Sequence, residues 1–233
     1  MPLSTKAKHI RQDIVRILAK KGGQTASNLS AADILTTLYF TTLKFHPQRM
    51  PTSRIVVSQN LQPAWHSAMA HSGYLSKKDL FANKELPSGA PHGHSLHIAI
   101  GRAIASNKPT YCIITDSELQ EGSLWEAAAL AGSRKTSNLT LIVDRNNLDA
   151  NGFMNIEPVR KKLEAFNWKV IEVDGHNTDH IAEALQERNT LKPTAILAHT
   201  IPGKGVSFIE NNPEWHEKTP TKEEEQKAII ELR

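Results

Sequence analysis

Between Thr5 and Lys21 the apolar residues Ala7, Ile10, Ile14, Ile17 and Leu18 recur at steps of three and four, which marks one face of a helix. Gly22 and Gly23 end that helix. Ser30 stands where an N-cap would precede a second helix, Ala31 to Phe45, whose face carries Ile34, Leu35, Leu38 and Tyr39. The pattern then changes to short apolar runs. Arg54 to Ser58 reads as a buried strand, and helices are predicted at Ala64 to Ser72 and Lys77 to Asn83. A loop carrying Pro87, Gly89, Pro91 and Gly93 leads into a helix from Ser95 to Ser106. From there strands at Thr110 to Thr115, Leu139 to Asp144, Lys169 to Val173 and Thr194 to His199 alternate with helices at Ser123 to Lys135, Glu157 to Phe166 and Asp179 to Glu187. Asn151-Gly152 marks a turn, and a charged helix or tail, 221–233, follows Pro220. Strands alternating with helices of this length predict a parallel sheet covered on both faces, a three-layer αβα sandwich. Ligands of such sheets sit beyond the carboxyl ends of the strands.

Composition narrows the class without changing this picture. The 233 residues suit a single domain, 1–233, and 39% hydrophobic with 22% charged residues supports a sizeable core. The net charge of +4 and pI of about 9.1 come from scattered basic residues such as Lys20-Lys21 and Arg160-Lys161-Lys162. No aromatic-plus-basic platform accompanies them, so a nucleic-acid partner is not expected. No stretch approaches the ~20 apolar residues of a membrane span, and the first fifteen residues lack the apolar core of a secretory signal. One cysteine, Cys112, fits a reducing compartment, and a cytoplasmic location is expected.

The chemistry concentrates between Thr115 and Gly152, TDSELQEGSLWEAAALAGSRKTSNLTLIVDRNNLDANG. One buried strand runs into Asp116 and the next into Arg145-Asn146-Asn147, so Asp116 and Asn146 share one edge of the sheet. A carboxylate, an amide oxygen and a backbone carbonyl are hard ligands suited to Mg²⁺ or Ca²⁺. The helix beginning near Ser123 turns its positive end to the same edge, which favours a phosphate.

This stretch resembles the cofactor motif of thiamine diphosphate enzymes, Gly-Asp-Gly followed after about thirty residues by Asn. ELQEG, WEAA and VDRNNL with its Asn-Gly turn resemble transketolases, and in particular the N-terminal subunit of split transketolases. The likeness extends to LSAADILTTLYF, to AIGRAIA at Ala99 to Ala105, and to GKGVSFIENNPEWHEKTP at Gly203 to Pro220. The resemblance implies that Asp116, Asn146 and the Leu148 carbonyl bind the metal, and that Ser117 and Glu121 lie at the cofactor. It makes Glu126 an interface position and puts His216 in the place of a histidine facing cofactor and substrate. It further implies a separate pyrimidine-binding, C-terminal transketolase-like partner, since that domain is missing here, and a heterotetramer of two such pairs.

The sequence departs from the family pattern at several points. Gly-Asp-Gly reads Thr115-Asp116-Ser117, Gly-Gly-His reads Gly22-Gly23-Gln24, and Lys-Gly-His reads Gln59-Asn60-Leu61. A shortened segment, LPSGAPHGHSLH, gathers His92, His94 and His97. The spacing admits a zinc site, but a pocket-lining role is favoured, with His94 and His216 as the candidate catalytic histidines. The resulting expectation is transfer of a two-carbon ketol or acyl unit to an aldehyde or modified-sugar acceptor, with a sugar or 2-oxo acid as donor. Decarboxylative acyloin formation and a non-catalytic partner scaffold are the alternatives.

Overall fold

The computed structural model describes residues 1–43, 54–82, 85–147, 156–187 and 190–233. Helix α1 spans Leu3–Lys21 and stops where Gly22, at φ +74°, takes a backbone conformation open to glycine. The next helical segment starts earlier than the sequence suggests. Helix α2 covers Thr25–Ser30, and after a turn at Ala31 helix α3 covers Ala32–Thr37 and relaxes into a π-turn at Leu38–Thr42. Ser30 is therefore not an N-cap. Its hydroxyl turns inward to the Ser27 carbonyl and the Asp144 carboxylate. The turn at Asn151-Gly152, and the Leu148 carbonyl, lie outside the described residues.

The remaining elements follow the predicted order within a few residues. They are β1 (Arg54–Val57), α4 (Gln62–Ser72), α5 (Lys77–Phe81), α6 (Ser95–Ser106) and β2 (Thr110–Thr115). Then come α7 (Gly122–Ser133), β3 (Leu139–Arg145), α8 (Val159–Ala165), β4 (Lys169–Asp174), α9 (Thr178–Gln186), β5 (Thr194–His199) and α10 (Lys222–Glu231). The five strands pair in parallel in the order β1-β2-β3-β5-β4. Going from β3 to β4 the chain skips a place, and going from β4 to β5 it turns back. Crossovers of one hand require the helix after such a reversal to change faces. Accordingly α7 and α8 pack on one face and α9 on the other.

Side-chain alternation divides the core the same way. Tyr111, Ile113, Ile142 and Ile196 pack with α1, α3, α4 and α9, whereas Cys112, Ile114, Leu141 and Val143 pack with α6, α7 and α8. Both faces are covered, so β2 and β3 are buried at every residue and read as continuous apolar runs. Each fully buried Leu or Ile in these layers contributes about 1.5–3 kcal/mol. Cys112 is one of the core residues, and burial pushes its thiol well above the usual range. No helix among the described residues is long and apolar enough to cross a membrane.

Candidate functional site

Strands β2 and β3 run in register with Thr115 opposite Asp144, so the residues that follow them emerge side by side. Asp116 and Asn146 are 6% and 4% exposed. One Asp116 oxygen, Oδ2, accepts the backbone N–H of Asn147 at 2.7 Å, and Arg145 Nη1 lies 3.8 Å from the same oxygen. Arg145 is itself held by Glu157. Asn147 takes a left-handed backbone, φ +54°, which asparagine tolerates well.

Asn146 is held from below. Its amide nitrogen donates to Asp144 Oδ2 at 3.2 Å and to Ser30 Oγ at 3.3 Å. Asp144 is fully buried and also accepts from the hydroxyls of Ser30, at 2.6 Å, and Thr200, at 2.5 Å. Burial pushes its carboxyl above the usual carboxylate range, while the bonds from Ser30, Thr200 and Asn146 pull it back. An amide held by its nitrogen turns its oxygen away from the carboxylate. The pair thus offers a carboxylate and an amide oxygen, the hard donors that Mg²⁺ or Ca²⁺ accept. Among the described residues no group of three or more His, Cys, Asp or Glu could hold a metal ion, so His92, His94 and His97 do not assemble a zinc site.

The two residues standing in place of glycines fit without strain. Neither Thr115 nor Ser117 is among the positive-φ residues, and their hydroxyls bond each other at 2.8 Å. Beyond them the chain makes a 3₁₀ turn, Asp116–Gln120, that buries Glu118 completely. Glu118 accepts the Gly93 N–H at 3.0 Å and the Ser95 hydroxyl at 2.9 Å, which ties the 87–95 loop and the start of α6 to the site. Burial raises the Glu118 carboxyl, against hydrogen bonds from Ser58 and Ser95, the nearby His92 and the Gly93 N–H. Glu118 is a site residue that sequence reasoning misses. Its position three residues before Glu121 in the motif is the one signal that could have pointed to it.

The same loop sorts the histidines. His92 Nδ1 meets Asn60 Nδ2 at 3.1 Å, and its Nε2 lies 3.5 Å from Glu121 Oε1. His94 is exposed, with its ring on the backbone carbonyl of His92 at 3.0 Å. His97 carries a buried Nδ1 with no hydrogen-bond partner. Glu121 and Glu126 are both exposed. The loop lies against the end of β1 through Ala90 N–Val57 O and Gln59 N–Ala90 O bonds, and a Cβ at Gly89 would come within 2.6 Å of Gln59 Cα.

A cleft of about 650 Å³ opens beside this loop, walled by Lys21, Gln24, Gln59, Asn60, Gln62 and His66. Its polar lining is mostly amides. Gln62 is committed to the Gly89 N–H, and His66 Nε2 to the Pro87 carbonyl. Burial lowers the His66 pKa, which favours the neutral ring. Gln24 Oε1 is buried with no hydrogen-bond partner. Leu61, in the place of the family's histidine, is a fully buried core residue. His216 is 8% exposed, and its Nδ1 is buried without a partner. The segment after it docks on the start of α2, where Thr25 Oγ1 donates to the Lys218 carbonyl at 2.7 Å. The Gly203-Lys204-Gly205 loop is committed internally: Gly203 N–H bonds Ala26 O, and Gly205 N–H and the Lys204 ammonium engage Glu210. Trp215 is a buried packing residue, and Trp125 donates its indole N–H to Leu119 O.

Comparison with known proteins agrees with the fold. Residues 99–231 match the family described as transketolase, thiamine diphosphate binding domain. The chain is 35% identical to one of the subunits of apulose-4-phosphate transketolase from Actinobacillus succinogenes, covering 99% of this chain and 96% of that protein. It is 32% identical to 6-deoxy-6-sulfo-D-fructose transketolase subunit SqwG of a Clostridium species, covering 99% and 96%. Transketolase from Leishmania mexicana superposes with a TM-score of 0.89 at 22% identity, over 100% of this chain and 41% of that one, which shows the fold. The chain thus spans about two fifths of that solved transketolase, and nearly the whole length of the two subunits. Two strand ends bearing Asp116 and Asn146, the parallel sheet that aligns them and the match along the chain lead to one conclusion: this chain belongs to the transketolase family and carries its N-terminal, thiamine diphosphate-binding domain.

Proposed function

We propose that the chain, as one domain over 1–233 ending in helix α10, is the diphosphate- and metal-binding subunit of a two-component transketolase. It would transfer a two-carbon ketol unit from a ketose to an aldehyde acceptor. The observation that carries this reading is the Asp116–Asn146 pair at adjacent strand exits, with the Asn146 nitrogen tied inward. In this reading Asp116, Asn146 and the Leu148 carbonyl hold Mg²⁺ or Ca²⁺, and Ser117 and Glu121 lie along the diphosphate. Thiamine diphosphate, when bound, supplies the nucleophilic carbon and the sink for the electron pair. This chain's own part is to anchor the charged end of the cofactor, to shield it from water and to shape the substrate cleft. Gln24, Gln59 and Asn60 offer hydrogen bonds to sugar hydroxyls there, and His216, with His94 at the loop's outer side, carries the proton-moving role.

The partner is a pyrimidine-binding, C-terminal transketolase-like subunit, joined as a heterotetramer; the subunit designations of the two similar proteins support it. Their names point to a phosphorylated or sulfonated sugar as substrate. The Asp116–Asn146 pair at adjacent strand exits favours a cofactor seat over a scaffold. Calorimetric titration of thiamine diphosphate with Mg²⁺ into the co-purified pair tests the reading. Saturable binding that Asp116→Ala abolishes is the expected result. No binding to the intact pair would refute the seat and leave the scaffold role, and release of CO₂ from a 2-oxo acid would replace ketol transfer with acyloin formation.

A further inference from the structure

Beneath the seat lies a hydrogen-bonded chain with a defined direction. Asp144 is an acceptor at both oxygens, and the hydroxyls of Ser30 and Thr200 reach Oδ2 and Oδ1 respectively. The Ser30 hydroxyl has one proton. Its contact with the carboxylate, 2.6 Å, is shorter than that with Ser27 O, 2.8 Å. With the proton directed to Asp144, the oxygen keeps a lone pair for the Asn146 N–H at 3.3 Å.

A side-chain amide has two ends of nearly equal size, so packing alone does not choose between them. Here the choice is electrostatic. An Asn146 oxygen turned inward would face the Asp144 carboxylate, acceptor against acceptor. Turned outward, it avoids that repulsion. We infer that Ser30 is a positioning residue for the divalent-cation seat: it acts through Asn146 by holding the amide nitrogen inward and the oxygen toward the cation. The proposal rests on the reading of Asp116 and Asn146 as metal ligands.

The geometry gives this task to Ser30 together with Asp144 Oδ2, and not to Thr200. Thr200 bonds the same carboxylate, but on Oδ1, away from the oxygen that Asn146 touches. Ser30 comes from α2, 116 residues away in sequence, and is fully buried. Helix α2 also carries Asn28, whose amide donates to Asn60 O at 2.9 Å, so one helix buttresses both the seat and the wall of the cleft.

The test compares Ser30→Ala with Thr200→Val in the co-purified pair, titrating Mn²⁺ at saturating thiamine diphosphate and reading free Mn²⁺ by electron paramagnetic resonance. Thermal melts are recorded alongside. Each variant removes one hydroxyl bond to the buried Asp144, so both should melt lower. Ser30→Ala should weaken Mn²⁺ binding about 10- to 100-fold, the usual effect of losing a partner of a metal ligand; Thr200→Val should leave it within a few-fold. Ser30→Cys keeps the side-chain volume but is a poor acceptor, and should weaken binding in the same direction. Unchanged affinity in Ser30→Ala and Ser30→Cys would overturn the proposal, as would equal weakening by Thr200→Val. If the unmodified pair shows no Mn²⁺ binding that Asp116→Ala removes, the seat itself is refuted and the proposal falls with it.

Discussion

Replacing Asp33 by Asn probes how the helical layer is fastened to the loops that frame the site. Arg11 of α1 donates to both Asp33 oxygens, at 3.3 and 2.5 Å, and through Nε to Leu29 O. His176, in the turn between β4 and α9, reaches Asp33 Oδ2 through Nδ1 at 2.8 Å. Its other nitrogen accepts the Ile201 N–H at 2.8 Å, so the ring proton must sit on Nδ1 and point at Asp33. The Arg11 and Asp33 side chains are only 6% and 8% exposed. Asp33→Asn keeps the shape but strands the buried guanidinium without a counter-charge. Breaking one side of such a pair costs about 3–5 kcal/mol, or roughly 6–20 °C in melting temperature for a chain of this size. Guanidinium unfolding at pH 7 should show that loss with an unchanged m-value. Burial opposes ionisation of Asp33, but the His176 hydrogen bond and the charge and hydrogen bonds of Arg11 outweigh it, and its pKa is lowered. A carboxylate with a lowered folded pKa contributes stability above its unfolded pKa, about 3.9, and loses it as the pH falls through the folded value. The gap between native and variant should therefore hold from about pH 5 to 8 and shrink in acid below about pH 4. The double replacement Arg11→Met, Asp33→Leu should regain most of the loss. A loss under about 1 kcal/mol, or a gap undiminished at about pH 3, would refute the reasoning.

Three further predictions concern the frame of the site. Leu61→Ala should destabilise by about 2–5 kcal/mol in denaturant unfolding, because Leu61 is fully buried where the family pattern has a histidine; a loss below about 1 kcal/mol would place it at the cleft surface instead. Gly132→Ala should cost more than about 3 kcal/mol, since a Cβ there would lie 1.6 Å from the Phe166 carbonyl oxygen, and near-native stability would show that α7 can move off that segment. Thr221→Ala removes the reciprocal capping box with Glu224 and should cost about 1 kcal/mol, seen as faster amide exchange confined to Lys222–Glu231.

The alternation of apolar runs and helical faces determined the layered parallel sheet by itself, because pairing and burial depend on patterns that repeat every two or three to four residues. The strand exits bearing Asp116 and Asn146 were legible for the same reason, since a strand end is a local feature. What lay beyond local pattern was decided by contacts across the chain. Ser30 looked like a cap because caps and buried hydroxyls share the same residue types; only the approach of α2 to β3 makes it a partner of Asp144 and Asn146. Leu61 stands where the family pattern has a histidine, and the packing of α2 and α4 puts it in the core. Glu118, a charged residue in a polar motif, is buried because the 87–95 loop folds over it and supplies the Gly93 N–H and the Ser95 hydroxyl. Hydrogen-bond partners more than twenty residues apart leave no periodic trace in the sequence. The polarity of the site, unlike its position, therefore had to come from the tertiary structure.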